Sequence, residues 1–219
     1  VKEINILGND ITLEHVIRDS LEIDEGDPFN ELLHAKSINN LKAKNIFGAV
    51  SSDVLDGPDL NTKIININVE EKPTGEISIA AGVGTEGGTA GFNISENNFM
   101  GRGVKLSASL RISEDTIRGN FTTYNPNYNY SGKGLSTNIQ STVTDKMADS
   151  GYDSTKTGFS FGTSVEQYED LFFSPSFSTY YERLTTNDSA SDNLKKQEGS
   201  YFDMGIAYTL DYDKRNQKW

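Results

Sequence analysis

The spacing of apolar residues changes once along this chain, at Thr74–Gly75, and no other feature restricts its fold as much. Before that point, segments of helical period alternate with segments of strand period. After it no amphipathic helix can be drawn. Apolar and polar residues instead alternate with period two through about eight runs. Those runs fall near Gly75–Gly84, Thr89–Asn97, Val104–Ile112, Thr116–Asn125, Gly134–Thr144, Thr157–Gln167, Phe172–Thr185 and Tyr201–Tyr212. They approach the roughly 9–11 residues that a tilted strand needs to cross a bilayer.

The segment before the break reads β-α-α-β-β. Val1–Leu7 is a short strand that ends at Gly8-Asn9, and Thr12 stands where a helix cap is expected. Leu13, Val16, Ile17 and Leu21 then share one helical face. Gly26-Asp27-Pro28 interrupts the chain, Asn30 caps a second helix, and Leu32, Ala35, Ile38 and Leu41 form its expected buried face. Phe47–Leu55 is a strand closed by Asp56-Gly57-Pro58. Ile65, Ile67 and Val69 alternate with Asn66, Asn68 and Glu70 in the last one. Two helices over a three-stranded sheet satisfy this order, and such a sheet has edges that can accept a peptide strand.

In the long runs each strand has one apolar face, such as Val104, Leu106, Ala108, Leu110 and Ile112 opposite Lys105, Ser107, Ser109 and Arg111. Alternation alone does not say which face would point into a barrel. The connectors fall into two sets. Asn98–Gly103, Pro126–Lys133 and Tyr168–Leu171 are short on average; Thr85–Gly88, Ser113–Asp115, Asp145–Lys156 and Thr186–Ser200 lengthen along the chain. Outer-membrane barrels have short turns on one side and longer loops on the other. Phe99, Tyr124, Tyr128, Tyr130, Tyr168, Phe172 and Phe173 near strand ends suit an interfacial aromatic girdle. A soluble β-sandwich packed by cross-strand aromatics meets the same counts, so a soluble β-rich binding module stays open.

Composition narrows the function classes. Only 35% of the 219 residues are apolar, so no stretch reads as a transmembrane helix, whereas a barrel hides half its residues in a polar lumen. The net charge of −12, with no basic stripe, argues against nucleic acid as a partner. Absence of cysteine removes disulfides, thiolate metal sites and thiol catalysis. Position 1 is Val and already reads as strand interior, which suggests a piece of a longer protein.

Local chemistry is sparse. Gly82–Gly88 is glycine-rich like a phosphate loop, but a strand follows where a helix is required. Asp53, Asp56 and Asp59 lack calcium-loop spacing, and Lys195-Lys196 reads as a solvated pair. The two histidines, His15 and His34, suit structural or solvated roles better than metal binding. With no nucleophile–base order and no paired carboxylates in a recognisable setting, neither catalysis, a metal nor a cofactor is expected.

Several motifs in order carry a resemblance. They are Ile6-Leu7-Gly8-Asn9 with Thr12 and Val16-Ile17-Arg18, Glu25-Gly26-Asp27, Leu41 with Ile46-Phe47 and Val50, and Val69-Glu70-Glu71-Lys72-Pro73-Thr74-Gly75. After the break come Gly82-Val83-Gly84-Thr85-Glu86-Gly87-Gly88, Glu96-Asn97-Asn98-Phe99-Met100-Gly101-Arg102-Gly103 and Asn125-Pro126-Asn127-Tyr128. In this order and spacing the chain resembles the BamA-type outer-membrane assembly factors of the POTRA-barrel superfamily over nearly its whole length. The resemblance implies an α+β POTRA domain at 1–73 in the periplasm. It also implies the first half of an antiparallel transmembrane β-barrel at 74–219, in a bacterial outer membrane. Family barrels have about twice this number of strands and an Arg-Gly-Phe motif in a later loop. The nearest string here is Arg118-Gly119-Asn120, in a different place, so this stretch by itself is not expected to close a barrel or complete an assembly cycle.

By the same resemblance the first barrel strand is a lateral gate that templates incoming substrate strands. That strand is Gly75, Glu76, Ile77, Ser78, Ile79, Ala80, Ala81, Gly82, Val83 and Gly84. Its small residues weaken side-chain packing, and its binding would be carried by backbone. The implied partners are unfolded outer-membrane β-barrel proteins, accessory assembly lipoproteins and outer-membrane lipid. A translocation pore of the same superfamily, exporting a partner protein through the lumen, is the alternative.

Overall fold

The computed structural model describes residues 1–84, 87–168 and 170–214, and they divide into two compact units. One unit joins Val1–Gly75 with Asn97–Val104; the other comprises Glu76–Glu96 and Lys105–Asp213. Thr85 and Glu86 of the first expected long-side connector, and Glu169 of a short-side one, lie outside the described residues.

The first unit contains β1 (Glu3–Leu7), α1 (Glu14–Arg18), α2 (Glu31–Ala43), β2 (Phe47–Asp56) and β3 (Lys63–Glu71), the expected β-α-α-β-β order. Its sheet runs β1-β3-β2, with β3 parallel to β1 and antiparallel to β2. The central place of β3 explains why Ile65, Ile67 and Val69 are buried while their polar alternates are not. They pack with Ile4, Val16, Ile17, Leu41, Ile46, Phe47 and Val50 in one core. Asn30 caps α2 as expected, its side chain accepting from the N–H groups of Leu32 and Leu33.

Two local expectations are corrected. Of the face expected on α2, Leu41 is buried and Ile38 packs partly buried against the core, but Leu32 is 81% exposed and Ala35 also faces solvent; with Ser37 buried beside Leu41, the inward stripe is narrow and begins a turn later. Thr12 caps nothing. The α1 N-cap is Leu13, with no side-chain bond, because the Thr12 hydroxyl is engaged elsewhere.

The second region is a meander of eight strands in sequence order: β4 (Gly75–Gly84), β5 (Gly87–Phe99), β6 (Val104–Ile112), β7 (Thr116–Asn125), β8 (Gly134–Lys146), β9 (Tyr152–Tyr168), β10 (Leu171–Thr186) and β11 (Gly199–Tyr212). A single turn of helix, α3 (Asp192–Lys195), precedes β11. The sheet is antiparallel and open: among the described residues, β4 and β11 each have one strand neighbour. β9 starts five residues earlier than its alternation indicated, at Tyr152, in polar sequence (Asp153, Ser154, Thr155, Lys156) that pairs in the ladder with β10.

Register resolves the ambiguity of faces. Ile117 lies opposite both Ile112 and Val143; Phe121 opposite Ala108 and Ile139; Phe161 opposite Thr137 and Phe177. The row continues through Phe177↔Ile206, Thr179↔Met204 and Tyr181↔Phe202. This continuous apolar face is exposed, as a lipid-facing surface must be. Two pairs of the hydroxyls that interrupt it bond to each other, Thr123 with Thr137 at 2.7 Å and Ser141 with Thr157 at 2.9 Å, whereas the Thr179 hydroxyl is buried without a partner. Unpaired hydroxyls are costly in hydrocarbon.

The other face holds Thr122, Asn138, Ser160, Ser178 and Gly205 in one row, with Asn120 on the same face two residues along β7. Here Asn138 Nδ2 donates to Asn120 Oδ1 at 2.6 Å, and Lys156 Nζ lies 3.0 Å from Glu182 and 3.9 Å from Asp203. A polar face of this kind is the one a barrel of such strands would turn to its lumen. Two aromatics expected in the girdle belong to it: Tyr124 opposes Lys105 and Ser136, and Phe172 opposes Glu166 and Asp211. Position near a strand end did not determine their face; strand parity did.

Candidate functional site

All ten residues of the expected gate, Gly75 to Gly84, form β4, an outer strand of the eight-stranded sheet. Every one of them is exposed, with Ile77, Ile79 and Val83 at 67%, 78% and 92%. Ile77, Ile79, Ala81 and Val83 continue the lipid-facing side. Gly82 lies on the other side, where its carbonyl accepts the Thr89 hydroxyl of β5 at 3.3 Å.

Alternate residues of β4 direct N–H and C=O groups away from β5, toward the free edge. In hydrocarbon each unpaired group costs several kcal/mol, so such an edge demands another strand. Side chains add little to hold any one partner. The lipid side offers two isoleucines, an alanine and a valine, whereas β11 presents Phe202, Met204, Ile206, Tyr208, Leu210 and Tyr212.

Steric need does not explain the glycines. A Cβ on Gly82 would meet only the Thr89 hydroxyl at 3.7 Å, and one on Gly84 would meet nothing. Neither backbone is in a conformation reserved for glycine. Their effect is to leave the strand loosely held.

Sequence reasoning missed a second cluster, in the first unit. There the turn Asn97–Val104 packs against the loop preceding α1. Leu13 N–H donates to the Gly101 carbonyl at 2.8 Å, and Asn98 Nδ2 donates to Thr12 Oγ1 at 2.8 Å. Gly101 and Gly103 have φ of +70° and +65°; a Cβ on Gly101 would stand 2.0 Å from the Ile11 carbonyl oxygen. The glycine pair thus permits both the turn and its close approach. Glu71 ends β3 beneath this loop. Burial alone would raise its pKa, but the Thr12 hydroxyl and the N–H groups of Thr12, Ile11 and Asp10 outweigh that and hold it below its ordinary value. The signal was present, since Thr12, Glu71 and Asn98 each fall within a motif quoted above. Their convergence was not readable.

His34 is structural in placement. Its Nε2 lies 2.9 Å from Ser52 Oγ of β2, its ring packs 5.9 Å from that of Phe29, and burial lowers its pKa. Among the described residues no group of three or more His, Asp or Glu could hold a metal ion, and no helix is long and apolar enough to cross a membrane.

Comparison with known proteins fits this layout. The POTRA family, described as a surface antigen variable number repeat, matches residues 1–72, and the Omp85 superfamily domain matches residues 98–219. The outer membrane protein assembly factor BamA of Neorickettsia risticii is 23% identical over 98% of this chain and 29% of its own length. BamA of Neisseria meningitidis is 24% identical over 85% of this chain and 24% of its own. The chain therefore spans under a third of these curated relatives. Among solved structures, Haemophilus ducreyi BamA lacking POTRA domains 1–3 superposes with a TM-score of 0.78 at 19% identity, over 100% of this chain and 45% of that one. CdiB from Acinetobacter baumannii gives 0.57 at 14%, over 95% and 42%. The structural likenesses establish fold, and the domain match over more than half the residues establishes descent: this chain belongs to the Omp85 superfamily, as a POTRA module joined to barrel strands of the BamA type.

Proposed function

We propose that this chain carries the receiving module and the templating strand of an outer-membrane protein assembly factor. Family membership places β4–β11 in a bacterial outer membrane and the POTRA module in the periplasm. Unfolded β-barrel proteins are the substrates. The POTRA module collects them, and β4 offers its free backbone edge to an incoming strand, which satisfies donors and acceptors that lipid cannot. No side chain is catalytic: hydrogen-bond exchange is the chemistry. Accessory lipoproteins are expected on the periplasmic module, and lipid against the apolar face.

One observation carries this reading. The strand that begins the sheet is a wholly exposed edge whose glycines at 82 and 84 are not sterically required. Cysteines introduced one at a time from Ile77 to Val83 of the full-length protein should crosslink to the terminal strand of a substrate during insertion. Absence of crosslinks along the whole strand would defeat the reading.

The polar luminal face supports a second reading, a pore of the same superfamily through which a partner protein is exported. Crosslinks from Lys105, Ser109 and Arg111 that spare β4 would select it.

A further inference from the structure

The cluster beneath the β5–β6 turn is a directed hydrogen-bond relay. Asn98 Oδ1 accepts the Gly103 N–H at 2.7 Å, which leaves Nδ2 to donate to Thr12 Oγ1 at 2.8 Å. A hydroxyl has one proton, so Thr12, accepting from Asn98, gives its own to Glu71. The two Glu71 oxygens also take the N–H groups of Thr12 at 2.6 Å and Ile11 at 2.8 Å. Thr12 is 2% and Asn98 8% exposed, so water does not replace a lost partner easily.

The relay sits where the first hairpin of the sheet is rooted. β4 leaves this unit at Gly75, β5 returns to it at Asn97, and Asn97 N–H donates to the Thr74 carbonyl at 3.3 Å. Both feet of the β4–β5 hairpin are therefore held in the compact unit that contains the POTRA module. A one-residue slip in β4 would turn every side chain to the opposite face. Fixing the feet fixes that register.

We propose that Asn98 is a positioning residue for strand assembly: through Thr12 and Glu71 it seats the Asn97–Val104 turn on the POTRA module and so holds the root of the templating hairpin. This rests on the assembly reading above. It adds a residue outside β4 that touches no substrate and acts through the hairpin's base.

The direction of the relay provides the test. Asn98→Asp keeps the acceptor for Gly103 but removes the donor to Thr12 and brings a second carboxylate toward Glu71. Adding Glu71→Gln reverses the relay, because the amide introduced on β3 can donate to Thr12, and Thr12 can then donate to the carboxylate introduced in the turn. The full-length protein in phospholipid vesicles is followed by hydrogen exchange over residues 10–16 and 97–104. In parallel it is assayed for folding of a urea-unfolded outer-membrane barrel protein.

Asn98→Asp is expected to lose about tenfold in exchange protection in both segments together and to slow assembly about tenfold, as loss of one buried hydrogen bond to a charged chain implies. The double variant should recover part of both, because the amide at position 71 keeps one oxygen for the two backbone N–H groups that the carboxylate served. Should Asn98→Asp not fold, Thr12→Val removes the same relay without adding charge, and it is expected to give the same paired loss. Loss confined to 97–104, no recovery on reversal, or paired loss with unchanged assembly would each overturn the proposal. A wild-type protein that accelerates no folding overturns the assembly reading instead, and exchange still judges the seat.

Discussion

Glu71 and Gly101 serve the same contact in different ways. Despite its burial, the Glu71 carboxylate is held below the ordinary 4.5 by hydrogen bonds that only the folded loop supplies. A depressed carboxyl stabilises the fold above its unfolded value, and that contribution disappears as pH falls through the folded one. In urea titrations of the full-length protein in detergent, Glu71→Gln should weaken the POTRA module at neutral pH. Wild type and variant should converge in acid, as pH falls through the depressed Glu71 value. At Gly101 the requirement is geometric. Gly101→Ala combines a φ of +70° with a 2.0 Å approach to the Ile11 carbonyl, whereas Gly132→Ala shares a φ of +69° but has nothing within 4 Å. The second should cost about 1–2 kcal/mol for backbone conformation alone. The first should cost more, with the difference appearing as added protease sensitivity in the POTRA module.

Among the elements, β4 and β9 answer different questions. Gly82→Val and Gly84→Val fit the space available and should stiffen β4, since a glycine inside a strand costs roughly 0.5–1 kcal/mol. Slower substrate assembly in vesicles, with the sheet itself retained, is the expected result; an unchanged rate would remove the link between loose packing and templating. The face assignment is tested near the middle of β9, where Phe159 and Ser160 are adjacent and oppositely directed. Phe159→Lys should cost about 2–4 kcal/mol in urea-induced unfolding from lipid, and Ser160→Lys far less. The elements themselves were largely legible in the residues, because turn residues bound each alternating run and capping chemistry marked α2. Their faces were not: Tyr124 and Phe172 show that an aromatic near a strand end can be luminal, and parity appears only with pairing partners.

At the level of the whole chain, the change of period at Thr74–Gly75 marks where β4 starts, yet the compact unit reaches past it to reclaim Asn97–Val104. Local pattern could not show this, because Thr12 and Asn98 are 86 residues apart in the chain and meet through single hydrogen bonds. The residues proposed as a gate were legible as a strand, but not from local pattern as an edge, since edge status depends on which strand lies next to which. Topology also sets a kinetic order. Every neighbour in the eight-stranded sheet is a neighbour in sequence, so each new pairing closes only a connector. The parallel β1–β3 pair closes far more chain, with Asn5 and Asn66 separated by 61 residues. Each doubling of a closed loop costs about 0.6 kcal/mol, and non-local pairing slows folding. The slowest search in this polypeptide therefore belongs to its smaller, periplasmic part, while the broad membrane sheet can zip up hairpin by hairpin.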